Sequence, residues 1–88
     1  MTPFDDLDDA LSTANRLPFG LAAYVMTNDI HTAQHCIAEI EAGSVIVNAW
    51  RATLPETPFG GHKESGLAAE GGTEGLRAFQ NTKLIYQI

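Results

Sequence analysis

One cysteine and two histidines fall close together at His31, His35 and Cys36, and each combination suggests a chemistry. A thiolate beside an imidazole is a pairing used in nucleophilic catalysis. His35 and Cys36 are adjacent in sequence, however, and neighbours one apart on a helix point in different directions, so they make no dyad. A lone Cys inside a helical stretch reads first as a small packing hydrophobe. His31 and His35, at i and i+4, share a helix face and could share a metal. With no third ligand in reach, a solvated face is the simpler reading and no metal is expected. The other candidate is the glycine-dense run Pro58-Phe59-Gly60-Gly61-His62-Lys63-Glu64-Ser65-Gly66. It is not a phosphate cradle, since neither GxxxxGK[ST] nor GxGxxG occurs. Gly60 and Gly61 would supply positive φ and close backbone approach. Lys63 would tie the loop down by hydrogen bonds or a salt bridge rather than act as a base.

The elements that must position these groups follow from pattern. Asp5 or Asp6 can cap a helix running to about Arg16, with Leu7, Ala10, Leu11 and Ala14 forming one apolar stripe. Pro18 ends it, because proline disfavours helix at the residue before it. Leu21 to Thr27 is a short apolar run of the kind found in strands covered on both faces. Asn28-Asp29 offers a cap for a second helix, Ile30 to Glu41, with Ile30, Ala33, Ile37 and Ile40 on its buried side. Gly43 sits where a left-handed helix stop belongs. Ser44 to Ala49 is another buried strand. Strand, helix and strand in this order predict a parallel crossover, a βαβ unit over residues 21–49. Trp50 to Leu67 has no periodicity and reads as a loop of about 18 residues, a length that is usually functional or disordered. Thr73 caps a short third helix to Gln80 that buries Leu76 and Phe79, and Lys83 to Ile88 has the β-branched and aromatic content of a terminal strand. So few strands make a poor sheet, and the pattern reads as a piece of a larger α/β domain.

Charge and size narrow the function classes. Eleven acidic residues against five basic ones give a net charge of −6. The basic residues are scattered, which weighs against nucleic-acid or anionic-membrane binding. No apolar run approaches the roughly 20 residues of a membrane span, and residues 1–9 lack the basic and apolar regions of a signal peptide. The cytoplasm is the expected compartment. A chain of 88 residues buries only roughly 60–65% of its unfolded surface, and one cysteine allows no internal disulfide.

Two sets of motifs carry a family resemblance. One is the glycine-dense run above followed by Glu70-Gly71-Gly72 and Glu74-Gly75-Leu76. The other is Gly20-Leu21-Ala22-Ala23-Tyr24-Val25, Thr27-Asn28-Asp29, Glu41-Ala42-Gly43 and Val47-Asn48. In this order and spacing they resemble the C-terminal region of the NAD(P)-dependent aldehyde dehydrogenases, where a PFGG-x-K-x-SG signature follows a strand ending in Val-Asn. Phe4 before an acidic, Ala-rich helix is similar to the family segment just after its Glu-Ile-Phe-Gly-Pro stretch. The resemblance covers about residues 4 to 88. It departs at Leu67-Ala68-Ala69-Glu70, where many members have Gly-Arg-Glu, and this puts a local salt bridge in doubt. Leu54-Pro55-Glu56-Thr57 looks like a subset of the family linked to semialdehyde substrates.

The resemblance implies a fold, a reaction and a set of absences. The fold is a partial parallel-sheet βαβ segment of an aldehyde dehydrogenase catalytic domain. Residues 1–82 are its incomplete C-terminal part, and residues 83–88 are an oligomerisation strand that joins a sheet of a neighbouring subunit. The reaction is oxidation of an aldehyde or semialdehyde to the acid with NAD or NADP. The nucleophilic Cys, general-base Glu, oxyanion Asn and dinucleotide fold lie in a portion N-terminal to this segment. The chain by itself is therefore expected to hold no catalytic or cofactor-binding residue and to be inactive. The stretch from Asn48 to Phe59 lines the mouth of the aldehyde tunnel in the resemblance, with Asn48, Trp50, Arg51, Thr53, Thr57 and Phe59 as tunnel residues. Trp50 and Phe59 fit core packing as well as apolar walls. Arg51 beside a pocket would favour a carboxylate-bearing aldehyde, although a solvent-facing Arg is the plainer reading. Gly60, Gly61, Lys63, Ser65 and Gly66 form the structural loop. The expected partner is the remainder of an aldehyde dehydrogenase or a homologous subunit, as a homo-oligomer in the complete enzyme. The alternatives are a stand-alone interaction module that adds its terminal strand to a full-length relative, or an inactive remnant.

Overall fold

The fold is described from a computed structural model, which describes residues 1–51 and 53–88. Ala52, inside the predicted loop, lies outside the described residues. Helix α1, Leu7–Asn15, starts at Asp6, whose carboxylate accepts the Asp9 amide at 2.9 Å. This side-chain acceptor satisfies one of the donors that every helix start leaves open. Leu11 is buried and Leu7 and Ala10 half-buried, while Ala14 is exposed, so the apolar stripe is covered only at its N-terminal end. Strand β1, Phe19–Gly20, follows the turn at Leu17-Pro18, and β2, Ala22–Val25, follows directly. Helix α2, Ile30–Glu39, is capped by Asp29, whose carboxylate accepts the Thr32 amide at 2.7 Å.

Strand β3, Ser44–Val47, pairs with β2 in parallel, Ala22 opposite Ser44 through Val25 opposite Val47. The βαβ unit predicted from the pattern is thus present. Its buried helix face differs from the expected one. Ala33 and Cys36 are buried, Ile40 is half-buried, and Ile30 and Ile37 stay largely exposed. Cys36 is a buried free thiol on the inward face of α2.

Gly43 is not a left-handed stop, for the positive-φ glycines are Gly66, Gly71 and Gly72. Its role is close approach: a Cβ at Gly43 would run into the carbonyl oxygen of Gly60. The backbones therefore meet at a distance only glycine permits.

The predicted loop contains short pairings. Strands β4, Phe59–Gly60, and β5, His62–Lys63, lie within it, and β6, Ala69–Glu70, follows. Strand β1 pairs antiparallel with β5, and β4 pairs antiparallel with β6. Helix α3, Gly72–Arg77, is capped by Gly71 at φ 70 rather than by Thr73. The expected burial of Leu76 and Phe79 does not occur, since both are exposed and only Gly75 is buried in this helix. Lys83 to Ile88 forms no strand with the rest of this chain.

The described residues make three separate two-stranded pieces and a core of Leu11, Ala33 and Cys36. The Cα radius of gyration is 17.0 Å, against about 12 Å for a compact chain of this length. The accessible surface is 7430 Å², against roughly 5,000 Å² for a folded monomer of this size. The difference of roughly 2,400 Å² exceeds the ~800 Å² that one partner contributes to a standard interface. Broad apolar faces, including Trp50, Leu67, Phe79 and Leu84, therefore lie open in the single chain.

Candidate functional site: the loop after the parallel strands

The end of β3 sets where the loop begins. Asn48 takes a left-handed φ of 54, a region Asn enters more readily than most residues. Its amide clasps the end of β2: Nδ2 donates to the Thr27 carbonyl at 2.8 Å, and Oδ1 accepts the Thr27 amide at 2.9 Å. The Asn48 amide is thus engaged in fastening the two parallel strands. The chain then turns outward, leaving Trp50 84% exposed.

Further along, Arg51 Nε donates to the Thr53 carbonyl at 3.3 Å. Thr57 Oγ1 donates to the Leu54 carbonyl at 3.1 Å and accepts the Leu54 amide at 3.3 Å, closing a turn across Pro55-Glu56. The Gly72 amide donates to the Pro55 carbonyl at 3.0 Å, which binds this turn to the start of α3. These bonds shape an open cavity of about 340 Å³ walled by Arg51, Thr53, Thr57 and Phe59, with Glu70 and Gly71 opposite along the β4–β6 pairing. Four of the six expected tunnel residues therefore meet at one cavity. Asn48 and Trp50 do not line it. Glu70 was missed as a wall residue, because only the pairing of Phe59 with Glu70 carries it there and no local pattern announces that register.

The structural loop is fastened at several points. The Glu64 amide donates to the Pro18 carbonyl at 2.9 Å, and Ser65 Oγ accepts the Gly20 amide at 2.9 Å. Lys63 Nζ lies 2.5 Å from Glu41 Oε2 and donates to the Asn15 carbonyl at 3.0 Å. Gly60 and Gly61 have no positive φ; the left-handed residue of the loop is Lys63, at φ 55. What the two glycines provide is space. A Cβ at Gly60 would strike the Ala68 carbonyl oxygen, and one at Gly61 would lie 2.6 Å from Ser65 Cβ. Gly66 at φ 159 is close to extended.

The histidines do other work. His35 Nε2 meets Asp8 Oδ1 at 2.6 Å, joining α2 to α1. That hydrogen bond holds the His35 pKa above the ordinary imidazole value; the charges of Asp8 and Glu39 act the same way, and partial desolvation opposes them. Asp29 lies below the usual carboxylate range because its carboxylate accepts hydrogen bonds at the start of α2, from Thr32 above all. Among the described residues no three His, Cys, Asp or Glu side chains gather as a metal site, and no helix is long and apolar enough to cross a membrane.

The starts of α1 and α2 are occupied by the carboxylates of Asp6 and Asp29, so neither offers the open backbone amides on which a dinucleotide pyrophosphate sits at a helix N-terminus.

A parallel βαβ unit followed by a glycine-clamped loop that walls a cavity defines a mixed α/β segment. The chain belongs to the aldehyde dehydrogenase family, whose model it matches over residues 1–85. It is 43% identical over 86 residues to 4-(hydroxymethyl)benzenesulfonate dehydrogenase of Comamonas testosteroni, which covers 98% of this chain and 18% of that protein. The structure resembles an aldehyde dehydrogenase of Brucella melitensis biovar abortus 2308, with a TM-score of 0.86 and 36% identity over 91% of this chain and 17% of that one. It also resembles the betaine aldehyde dehydrogenase of Staphylococcus aureus, a structure in complex with NAD+, with a TM-score of 0.82 and 34% identity over 86% of this chain and 15% of that one. The chain thus spans 18% of the length of the first of these relatives. Its relatives are oxidoreductases, and its fold is the mixed α/β fold of their structures.

Proposed function

We propose that the chain acts as the C-terminal segment of an aldehyde dehydrogenase catalytic domain. In that setting it supplies one wall of the substrate tunnel and a terminal strand for a subunit interface, while other parts of the enzyme hold the reactive thiol, the general base and NAD or NADP. The reaction is oxidation of an aldehyde or semialdehyde to the carboxylic acid. The observation that carries this reading is the exposed surface of 7430 Å² around a three-residue core. Strand β2 and helices α2 and α3 present apolar side chains, Tyr24, Ile30, Ile37 and Leu76, that a docked neighbour would bury.

Within the tunnel wall, Phe59 supplies an apolar surface and Arg51 a cation. A guanidinium at such a site favours a substrate tail that carries a carboxylate or a similar anion. One relative is named for a sulfonate-bearing substrate, which agrees with a cation here. The homologous subunit is the expected partner for Lys83 to Ile88, whose unpaired backbone suits strand addition.

The test is co-expression of this chain with a relative truncated before the matching segment. Aldehyde-dependent reduction of NAD or NADP, absent from either part alone, is the expected result. Failure to restore turnover although the two parts co-purify would overturn the reading, and so would turnover by the 88-residue chain alone.

A further inference from the structure

Lys63 combines two features that seldom meet on one residue. Its backbone is left-handed, at φ 55, where a residue with a Cβ is disfavoured. Its ammonium has three protons and three acceptors: the Asn15 carbonyl at 3.0 Å, the Leu17 carbonyl at 3.4 Å and Glu41 Oε2 at 2.5 Å. The side chain is drawn in, with 27% of it exposed. Asn15 closes the other half of the arrangement. Its Nδ2 donates to the Glu39 carbonyl at 2.7 Å, and its Oδ1 accepts the Glu41 amide at 2.9 Å. Lys63, Asn15 and Glu41 therefore form a ring of polar contacts linking the end of α1, the exit of α2 and β5. From β5 a short, tightly packed backbone path leads through Gly61 to Phe59 in the cavity wall.

We infer that Lys63 is a positioning residue: its ammonium latches the glycine loop onto the ends of α1 and α2 and so fixes Phe59 in the cavity wall. The intrinsic preference of lysine does not favour this backbone conformation; the ammonium contacts offset that cost and add to the backbone bonds of the loop. The consequence for substrate rests on the tunnel reading above, whereas the latch itself does not.

Amide exchange on the full 88-residue chain tests it. In Lys63→Gln the Gly20, Glu64 and Ser65 amides exchange roughly fivefold to tenfold faster. The Ser44 and Asn48 amides, which belong to the parallel pair, keep their rates. Glu41→Gln retains both carbonyl contacts and gives a smaller rise at the same amides. Lys63→Arg restores part of the protection. Lys63→Gly relieves the backbone while removing the ammonium, and loosens the loop as Lys63→Gln does. A loop that stays protected in Lys63→Gly would show that backbone conformation, and not the ammonium, holds it, and would overturn the inference. Unchanged rates in Lys63→Gln, a uniform rise that includes Ser44 and Asn48, or no protection of these loop amides in the unaltered chain would do the same. None of these readouts depends on turnover, so loss of the enzymatic reading leaves the latch standing and the reverse also holds.

Discussion

His35 and Asp8 show how a single pair ties two helices together under control of pH. The imidazole meets the carboxylate at 2.6 Å across α1 and α2, and the hydrogen bond raises the folded-state pKa above the ordinary 6.5. A raised folded value means that the protonated form binds more tightly in the folded chain. Its stabilising contribution is therefore complete below pH 6.5 and is lost as pH rises through the higher folded value. The charged groups facing His35 are Asp8 from α1 and Glu39 from its own helix, and both favour the charged ring. His35→Gln is expected to lower the melting temperature at about pH 5.5 and to have little effect at about pH 8.5. Melts of both proteins at the two pH values check this; an equal difference at both would deny the pair its role. Adjacent to this histidine, Cys36 is buried, in keeping with packing rather than attack.

At the scale of elements, the fold depends on backbone approaches more than on side-chain packing. Gly43, at the entrance to β3, and Gly60, in β4, come so near that a methyl group at Gly43 would overlap the Gly60 carbonyl. Both obstructions are backbone, so no side chain can swing aside. Gly43→Ala is expected to cost about 1–3 kcal/mol, the usual range for overpacking a tight site. It should also weaken the bond from the Gly43 amide to the Gly20 carbonyl, now 3.0 Å. Denaturant unfolding together with amide exchange at Gly43 measures both effects, and a neutral substitution would mean that the two strands separate freely. The sequence pattern gave the caps of α1 and α2 and the order strand, helix, strand, because caps and apolar runs are local. It misassigned the inward face of α2 and the burial of α3, because neither is local. Which stripe turns inward depends on what packs against it, and in this chain little does. The same holds for the cavity. Arg51, Thr53, Thr57 and Phe59, expected together from the motif resemblance, line it, whereas Glu70 reaches the wall through strand register alone.

The whole molecule is extended, 65 Å along its longest axis, and residues 83–88 are the segment proposed above as an interface strand. Leu84, Ile85, Tyr86 and Ile88 are each at least 73% exposed. In the free chain the amides of residues 83–88 should exchange without protection. On assembly with the rest of an aldehyde dehydrogenase they should slow by roughly tenfold or more, as for any strand newly joined to a sheet. Exchange mass spectrometry of the free and assembled chain reads this directly, and unprotected amides in an active assembly would remove the strand from the interface.

By itself the sequence determined the family, helix starts at Asp5 or Asp6 and at Asn28-Asp29, the parallel crossover and the placing of a glycine-rich loop beyond it. These depend on residue types within a few positions of one another, or on motifs kept in order. Only the tertiary structure decided that Asn48 fastens β2 to β3, that Lys63 rather than Gly60 or Gly61 takes the left-handed backbone, and that Glu70 faces the cavity. Those outcomes depend on contacts between segments tens of residues apart, where the energy of each choice is set by neighbours that the local sequence does not specify.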